Sequence, residues 1–382
     1  MFNIMTLRIG ITSYPNVGGS GVIATELGIE LAKLGHEIHF ISYEKPFRLN
    51  GDKKNITFHQ VPINEYSLFK YPDYTLPLSV KMAEVSKQYS LDILHVHYAV
   101  PHATAAILAR DLIGTNMPKV ITTLHGTDIT LLGEDPSFQP IIQYSMEHSC
   151  GVTAVSEYLK QKTLQRFKLS KSIEVIHNFV AIKKPTEKPE VMKQKLGISP
   201  EEKIIIHMSN VRPLKRIPDL LKTFAEVSKT SKVKLLLLSG GDFTPYESLV
   251  EELHIRDKIV IKDWVNDIEN YLQIANVLLH TSENESFGLS ILEALSSGVP
   301  VVATKAGGVV EVMKDGETGF LCEIGDIPSL VTATQKILED ENLEKTLKMK
   351  SIEYVQNNFS SEKIVQQYMD YYQRILEDQS CN

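Results

Sequence analysis

The sequence predicts two doubly wound α/β domains in series. Its 382 residues exceed the roughly 150 of a typical single domain. Short apolar runs of β-forming residues alternate with helix-like segments, and this alternation stops and restarts once. The interruption at 181–203 is rich in Lys, Glu and Pro. We expect a first domain at 1–180, a second at 181–361, and a C-terminal helix at about 362–382 that crosses back to the first domain.

The first series of apolar runs predicts a parallel sheet covered on both faces, because helical patterns lie between most of the runs. The segment 25–35 is typical: Leu27, Leu31 and Leu34 recur at helical spacing, and Gly35 provides a stop. The predicted strands are 7–14, 36–43, 56–63, 93–100, 119–126, 151–156 and 173–180.

The second series predicts another sheet of the same kind. It is followed by 362–378, whose pattern indicates an amphipathic helix. The predicted strands of this half are 203–211, 233–241, 258–265, 277–282 and 299–307.

Composition and charge exclude several classes of protein. Hydrophobic residues make up 43% and charged residues 23% of the chain, which are ordinary globular values. The net charge of -7 lies wholly after residue 180, so neither half has the basic surface of a nucleic-acid or anionic-membrane binder. No long apolar run or leader pattern is present, and we expect a soluble, cytoplasmic protein. The three cysteines are expected to stay reduced, without a zinc site.

A glycine-rich loop, NVGGSG at 16–21, follows the first strand and opens the first helix. The backbone amides of Gly19 and its neighbours can approach an anion closely at such a helix N-terminus. The loop matches a dinucleotide fingerprint only in part, with Ala24 at the third glycine position and Glu44 as the possible ribose ligand. The alternative is a tight turn without a ligand.

Two glutamates, Glu285 and Glu293, stand eight positions apart in ENESFGLSILEALSSGVPVV (283–302). A Phe-Gly turn at Phe287 separates Glu285 from an apolar helical pattern. Glu293, two turns into this helix, could accept hydrogen bonds from ribose hydroxyls. The alternative is that both carboxylates are simply solvated near a helix N-terminus. The amides predicted to bind a diphosphate at that N-terminus belong to Gly288, Leu289 and Ser290.

Arg212 and Lys215 follow the first strand of the second domain. The carboxyl end of a strand is where ligands of such folds bind, and both side chains suit phosphate oxygens. Because surface cations are usually only solvated, this interpretation depends on the neighbouring glutamate segment.

Four histidines, at positions 95, 97, 102 and 125, suggest a metal site at first sight. His95 and His97 alternate along a strand, however, and no Asp, Glu or Cys stands at ligand spacing. The sequence also lacks Asp-x-Asp. We therefore expect no metal or other cofactor, and the charge of a diphosphate would be met by a helix N-terminus, Arg and Lys.

Taken together, Glu285-x7-Glu293 with SFGLSIL and the following ALSSGVPVVAT resemble the signature of the retaining glycosyltransferases of family 4. The GGSG loop, the HGTD segment at 125–128 and the terminal segment 359–376 extend the resemblance over nearly the whole chain. It implies the GT-B architecture, in which two Rossmann-like domains face each other across a cleft. The family is usually assigned same-face attack, with the leaving phosphate taking the acceptor proton.

Finer similarity, carried by 10–28, 46–50, 91–103 and 122–130, is to members that use UDP-GlcNAc as donor and L-malate as acceptor. It implies that Glu285 orients the donor sugar near the reacting centre and that His125 lies near its 6-hydroxyl. The chain departs from the family pattern at Ser209-Asn210, where many members have Gly-Arg. Arg212 therefore matches the arginine of the family less well than Lys215 matches its lysine. The implied donor-binding residues are Gly19, Arg212, Lys215, Phe287, Gly288, Leu289, Ser290 and Glu293. The acceptor candidates are Ser20, Asn64, Tyr98 and Thr123, with Arg48 or Lys70 for charge.

Other functions remain open at this point. One is a family 4 transferase with another sugar, polyol or lipid acceptor, and another is a nucleotide-sugar 2-epimerase. A dinucleotide-dependent oxidoreductase would leave the anion site of the second half without a purpose. A non-enzymatic nucleotide-sugar sensor would bind the donor without turnover. The partners expected are small-molecule substrates, without nucleic acid or membrane, and a homo-oligomer is compatible with the sequence.

Overall fold

The computed structural model describes residues 6–15, 18–51, 53–63, 73–181, 183–263, 265–379 and 381. The chain forms two compact units, Met1–Asn178 with Ser361–Asn382, and Phe179–Ser360. Each unit is built on one parallel sheet with helices in its connections. The α/β fold class expected from the sequence is therefore confirmed.

The first unit contains a sheet in the order β3-β2-β1-β4-β5-β6-β7. Its strands are β1 Arg8–Thr12, β2 Glu37–Ser42, β3 Ile56–Gln60, β4 Ile93–His97, β5 Lys119–Leu124, β6 Gly151–Ala154 and β7 Ile173–Val175. Its helices are α1 Gly19–Lys33, α2 Thr75–Tyr89, α3 Thr104–Ile113, α4 Gln139–His148, α5 Glu157–Arg166 and, from the chain's end, α14 Ser361–Glu377.

The second unit contains a sheet in the order β10-β9-β8-β11-β12-β13. Its strands are β8 Lys203–Asn210, β9 Val233–Gly240, β10 Ile259–Lys262, β11 Val277–His280, β12 Val301–Thr304 and β13 Gly319–Cys322. Its helices are α6 Pro189–Lys195, α7 Ile217–Val227, α8 Glu247–Glu252, α9 Ile268–Leu272, α10 Leu289–Ser296, α11 Val309–Val312, α12 Ile327–Glu339 and α13 Glu341–Phe359.

Burial on both faces explains why the central strands are continuous apolar runs. Strand β8 is buried from Ile204 to Ser209, and it pairs in parallel with β9 and β11. Helix α7 covers the sheet with apolar side chains at helical spacing, among them Leu220, Phe224 and Val227, all in the core. Helix α12 begins at an Asp326 cap whose side chain accepts a hydrogen bond from the Ser329 amide at 3.1 Å.

The C-terminal helix α14 packs in the first unit, as the sequence predicted. Its Tyr368, Tyr371 and Tyr372 are buried. Tyr371 lies against Gly151, where a β-carbon would overlap the Tyr371 ring, and its hydroxyl donates to the Val152 carbonyl at 3.3 Å. The end of α14 is thereby fixed beside the start of β6.

The expectation that all cysteines stay reduced is wrong in this structure, because Cys150 and Cys381 form a disulfide. They are 231 residues apart in sequence, which gave no hint of pairing. Helix α14 closes that separation by packing against β6, so that the two Cα atoms lie 5.4 Å apart. Cys322 is free and buried.

Several predicted strand bounds needed correction, and β7, expected at 173–180, ends at Val175. Strand β4 ends at His97 rather than continuing to residue 100, since Tyr98 adopts φ +84° and an irregular turn, Ala99–Ala103, follows. Strand β13 was not predicted, because its sequence GFLC lacks the run of Val, Ile or Leu seen in the other strands of this sheet. Among the helices described, none is long and apolar enough to cross a membrane.

Candidate active site

In each unit the strand order reverses next to its first strand, and ligands of open α/β sheets bind beyond the carboxyl ends of the strands at that point. The reversal lies between β1 and β4 in the first unit and between β8 and β11 in the second. Most of the residues singled out in the sequence follow the strands nearest these two points. The strand topology thus groups them into two clusters, one in each unit.

In the second unit the cluster centres on the Glu285 carboxylate. Its Oε1 atom is paired with the Lys215 ammonium, and it accepts hydrogen bonds from His280 Nε2 at 3.0 Å and Ser282 Oγ at 2.9 Å. Burial alone would raise the pKa of Glu285, but Lys215 and the hydrogen bond from His280 hold it well below its usual range. Glu285 is therefore ionised at neutral pH, with one oxygen pinned by three donors.

Backbone and side-chain contacts hold the loops around this carboxylate together. The Thr281 hydroxyl donates to the Lys215 carbonyl at 2.9 Å, which ties the loop after β11 to the loop after β8. The Gly308 amide donates to the Glu285 carbonyl at 2.8 Å. A β-carbon at Gly308 would overlap the Ser286 carbonyl, so only glycine allows this close approach.

Helix α10 begins directly after this loop. Gly288 adopts φ +100° as its N-terminal flanking residue, a conformation that favours glycine. The amides of Leu289 and Ser290, in the first helical turn, have no intrahelical acceptor. Leu289, Ser290 and Glu293 lie on the half-exposed side of α10, whereas the Phe287 ring before the helix is 3% exposed and belongs to the core.

Two arginines in the loop after β8 differ in their surroundings. Arg212 is exposed and begins the turn Pro213–Lys215. Arg216 has a left-handed backbone, with φ +50°, and its guanidinium pairs with Asp219 at 2.6 Å and with Glu283 at 3.5 Å. Arg216 is therefore engaged in a local network, whereas Arg212 makes no ion pair within the part of the chain that is described.

In the first unit, helix α1 brings two acceptor candidates together. The helix begins at Gly19, and the Tyr98 hydroxyl donates to Ser20 Oγ at 2.7 Å. Burial raises the pKa of Tyr98 to about 12, so its hydroxyl stays protonated. Asn64 and Lys70 lie outside the described residues. Arg48 is directed to Glu26 of α1, at 3.6 Å.

Thr123, a third acceptor candidate, is fully buried at the end of β5. Its hydroxyl lies 2.7 Å from His95 Nε2 and 2.7 Å from Thr153 Oγ1. His95 Nδ1 is in turn 2.7 Å from the Tyr372 hydroxyl of α14. A hydrogen-bond chain therefore runs from the C-terminal helix through the sheet to Thr123.

His125 follows β5, and its Nε2 atom lies 2.7 Å from His97 Nδ1. Burial lowers the pKa of His125 to about 3, so the ring is neutral. The loop behind it is held by Asp128, whose carboxylate accepts the amides of Ala99 at 3.0 Å and Gly126 at 3.1 Å. Burial raises the pKa of Asp128 to about 6, although these backbone hydrogen bonds oppose the shift.

The comparisons with known proteins agree with this arrangement. The model described as "Glycosyltransferase Family 4" matches residues 17–184, and "Glycosyl transferases group 1" matches 189–354. N-acetyl-alpha-D-glucosaminyl L-malate synthase of Bacillus anthracis is 46% identical, over 98% of each chain. The chain is a family 4 glycosyltransferase.

Solved structures give this glycosyltransferase the same GT-B fold. A glycosyltransferase from Rickettsia africae superposes with a TM-score of 0.81 at 25% identity, covering 98% of this chain and all of the other. Anabaena HepE, crystallised with UDP-glucose, gives a TM-score of 0.80 at 18% identity, over 96% and 100% of the two chains. At that identity, HepE supports the fold alone.

Several polar residues of this glycosyltransferase were missed in the sequence. His280 is the last residue of β11, and Ser282 comes two positions later. Both stand within five residues of Glu285, and this short spacing could have indicated contacts with it. Asp128 was seen only as part of HGTD, and nothing in the sequence showed that its carboxylate would accept amides from two loops. Among the residues described, no group of three His, Cys, Asp or Glu is arranged to hold a metal ion.

Proposed function

We propose that this glycosyltransferase transfers N-acetylglucosamine from UDP-GlcNAc to the hydroxyl of L-malate, with retention of the α configuration. This would be the first step of bacillithiol biosynthesis. The choice of acceptor rests on the 46% identity, over 98% of each chain, with a synthase named for that product. The Glu285 cluster supports the chemistry, because it offers a fixed carboxylate beside a cation.

In the second unit we assign the UDP-GlcNAc donor to the groups around α10. Glu293 binds the ribose hydroxyls, and the first-turn amides of α10 bind the diphosphate together with Lys215 and Arg212. Since Glu285 Oε1 already accepts from three donors, its Oε2 is assigned to a hydroxyl of the sugar. Lys215 is then shared between this carboxylate and the diphosphate.

The proposed reaction breaks the bond between the sugar C1 and the phosphate oxygen of UDP. The malate hydroxyl oxygen bonds to C1 on the face that the phosphate leaves, and its proton passes to the leaving phosphate oxygen. The transition state is oxocarbenium-like, as in other glycosyl transfers. Lys215 and the helix amides stabilise the charge that grows on the leaving group. Glu285 orients the sugar and forms no covalent bond.

The acceptor is assigned to the first unit. Ser20 and Tyr98, which already share a hydrogen bond, are proposed to contact malate, together with Asn64 and Thr123. Because Thr123 is fully buried, with its Oγ1 2.7 Å from both His95 and Thr153, its contact with malate requires the side chains around it to move. His125 is assigned to the donor sugar, near its 6-hydroxyl.

A direct assay tests the proposal. Purified protein is incubated with UDP-GlcNAc and L-malate, and we expect UDP together with a product of the mass of N-acetylglucosaminyl-malate. The anomeric proton coupling should report the α configuration. Treatment with EDTA should leave the rate unchanged, since we propose that no metal takes part. Absence of the malate product, with turnover of another acceptor, would reject the acceptor assignment and leave the family assignment intact.

The alternatives give different products in the same assay. Isomerisation of UDP-GlcNAc without acceptor would indicate a 2-epimerase, and donor binding without turnover would indicate a sensor. A polyol, sugar or lipid acceptor would appear in an acceptor screen. The cytoplasmic location expected from the sequence stays a prediction, to be tested by cell fractionation.

A further inference from the structure

The ring of His97 is enclosed at the end of β4, next to His125. His97 is fully buried. Its ring stacks between those of His95 and His125, with centroids 4.6 and 5.0 Å away. The hydrogen bond between His97 Nδ1 and His125 Nε2 is 2.7 Å long. The position and orientation of the His125 ring therefore depend on His97.

This hydrogen bond contains one proton, and its location fixes the tautomers of both rings. Both rings are neutral, because burial lowers the pKa of His97 well below its usual value and that of His125 to about 3. If His97 Nδ1 donates, His125 has its own proton on Nδ1. If His125 Nε2 donates, its Nδ1 is a bare acceptor and His97 has a proton on Nε2. His125 thus presents a donor or an acceptor, depending on His97.

The partner of a neighbouring histidine indicates which arrangement holds. His102 Nδ1 lies 2.5 Å from the His97 carbonyl. A carbonyl oxygen only accepts, so this nitrogen donates. Burial lowers the pKa of His102 to about 4, so the ring is neutral. Its other nitrogen, Nε2, is a bare lone pair that is buried without a partner in the described chain.

His97 Nε2 is in the same situation, because it is buried and has no hydrogen-bond partner among the described residues. A buried N–H group without an acceptor is rarer in native structures than an under-satisfied acceptor. A bare Nε2 on His97 requires the proton on its Nδ1. His97 then donates to His125 Nε2, which leaves the proton of His125 on Nδ1.

We propose that His97 is a positioning residue that fixes His125 as its Nδ1–H tautomer, so that His125 donates a hydrogen bond to an oxygen of the donor substrate. The inference rests on the proposed function for the role of the bond, but the tautomer itself does not depend on it. His125 is half-buried and its Nδ1 is not among the enclosed, unpartnered atoms of the described chain. A neutral donor there adds no charge that would compete with Lys215.

Nitrogen-15 NMR of histidine-labelled protein measures the tautomer directly. The His125 signals are assigned by their loss in His125→Asn. We expect a protonated Nδ1 and an unprotonated Nε2 for His125, and the same pattern for His97. A proton on Nε2 of His125 would overturn the proposal, whatever the enzyme's activity.

Two variants separate the hydrogen bond from the packing of the ring. The amide nitrogen of His97→Asn can replace Nδ1–H as a donor, so this variant should keep kcat within about threefold of wild type. His97→Leu cannot donate and should lose roughly ten- to a hundredfold in kcat, by analogy with the loss found when the hydrogen-bond partner of a metal-ligating histidine is removed. KM for malate should change little in either variant.

The matched control is His59→Leu. His59 Nε2 lies 2.9 Å from His39 Nδ1 in a second stacked histidine pair of the same unit, outside the proposed site. We expect its kcat to stay unchanged. Equal losses in His97→Asn and His97→Leu, or no loss in a folded His97→Leu, would overturn the positioning role. Failure of wild type to transfer N-acetylglucosamine would reject the proposed function instead, while the NMR result would still decide the tautomer.

Discussion

Replacing Lys215 by methionine should remove a charge from the site while largely preserving its shape. Lys215 and Glu285 are each only 15% exposed at their side chains, so water screens their interaction weakly. Glu285 keeps the hydrogen bonds from His280 and Ser282, and the loop backbone keeps its contact with Thr281. We therefore expect a folded enzyme that lacks one cation beside the leaving diphosphate. Loss of a single electrostatic contact of this kind costs about 3 kcal/mol, or roughly a hundredfold in kcat.

The same substitution should change the pH dependence of the reaction. In wild type the lowered pKa of Glu285 keeps the carboxylate ionised well into the acid range. Without Lys215, burial still raises that pKa and its main opposing charge is gone. Activity of Lys215→Met should thus fall as the pH decreases through the raised pKa, while wild type shows no such limb from Glu285.

The substitution should also change how the free energy of unfolding depends on pH. A depressed pKa means that the folded state binds the proton less readily than the unfolded state, whose value is near 4.5. The stabilisation from the ionised Glu285 is fully present above that value and is lost as the pH falls below it. Lys215→Met should therefore lose less stability on acidification than wild type, as measured by urea unfolding at several pH values.

UDP release and product mass give the rates, and Lys229→Met is the control. Lys229 is a well-exposed lysine paired with Glu226 at 2.7 Å, away from the site, so its loss should leave kcat and its pH profile unchanged. A Lys215→Met enzyme with kcat within about twofold of wild type and with the wild-type pH profile would refute the electrostatic role given to Lys215.

Three further predictions test other parts of the structure. Glu293→Ala should weaken UDP binding in calorimetry, whereas Glu285→Ala should lower turnover more than UDP affinity; equal UDP titrations for wild type and both variants would remove the ribose role of Glu293. Gly308→Ala should destabilise the second unit by about 1–3 kcal/mol in urea unfolding, the usual cost of overpacking, because its β-carbon overlaps the Ser286 carbonyl. Cys381→Ser should lower the free energy of unfolding by about 2–4 kcal/mol relative to the non-reduced wild type; since Cys322 is free in any case, an intact mass showing three free thiols instead of one in the non-reduced protein would reject the disulfide.

The sequence was sufficient to predict the sheets because their strands are buried on both faces. Runs such as KIIIHMSN in β8 and VKLLLLSG in β9 are continuous apolar segments, and their alternation with helices implies parallel pairing. The short edge strand β13 has no such run and was missed. The end of β4 was placed too late, because the change of backbone direction at Tyr98 leaves no mark in an apolar pattern that continues through Ala99 and Val100.

The sequence also placed the glutamates of the second unit in one segment, but it could not give their surroundings. The role of Glu285 at the donor sugar stays a prediction, but its ion pair with Lys215, which joins residues 70 positions apart, was not foreseen. The disulfide joins residues still further apart. Such contacts depend on which loops the sheet topology places side by side, and no local pattern records that.

The two units resemble each other in how they use buried histidines. In the second unit His280 donates to Glu285 at 3.0 Å, and in the first His97 contacts His125 across 2.7 Å. A neutral histidine can orient a polar group without adding charge, whereas a lysine at the same place would attract the diphosphate itself. In the acidic half of the chain Lys215 pairs with this glutamate, and His280 and Ser282 make the remaining contacts to the carboxylate. On this reasoning the net charge of the second half says little about diphosphate binding, because the local donors around Glu285 and at the start of α10 decide it.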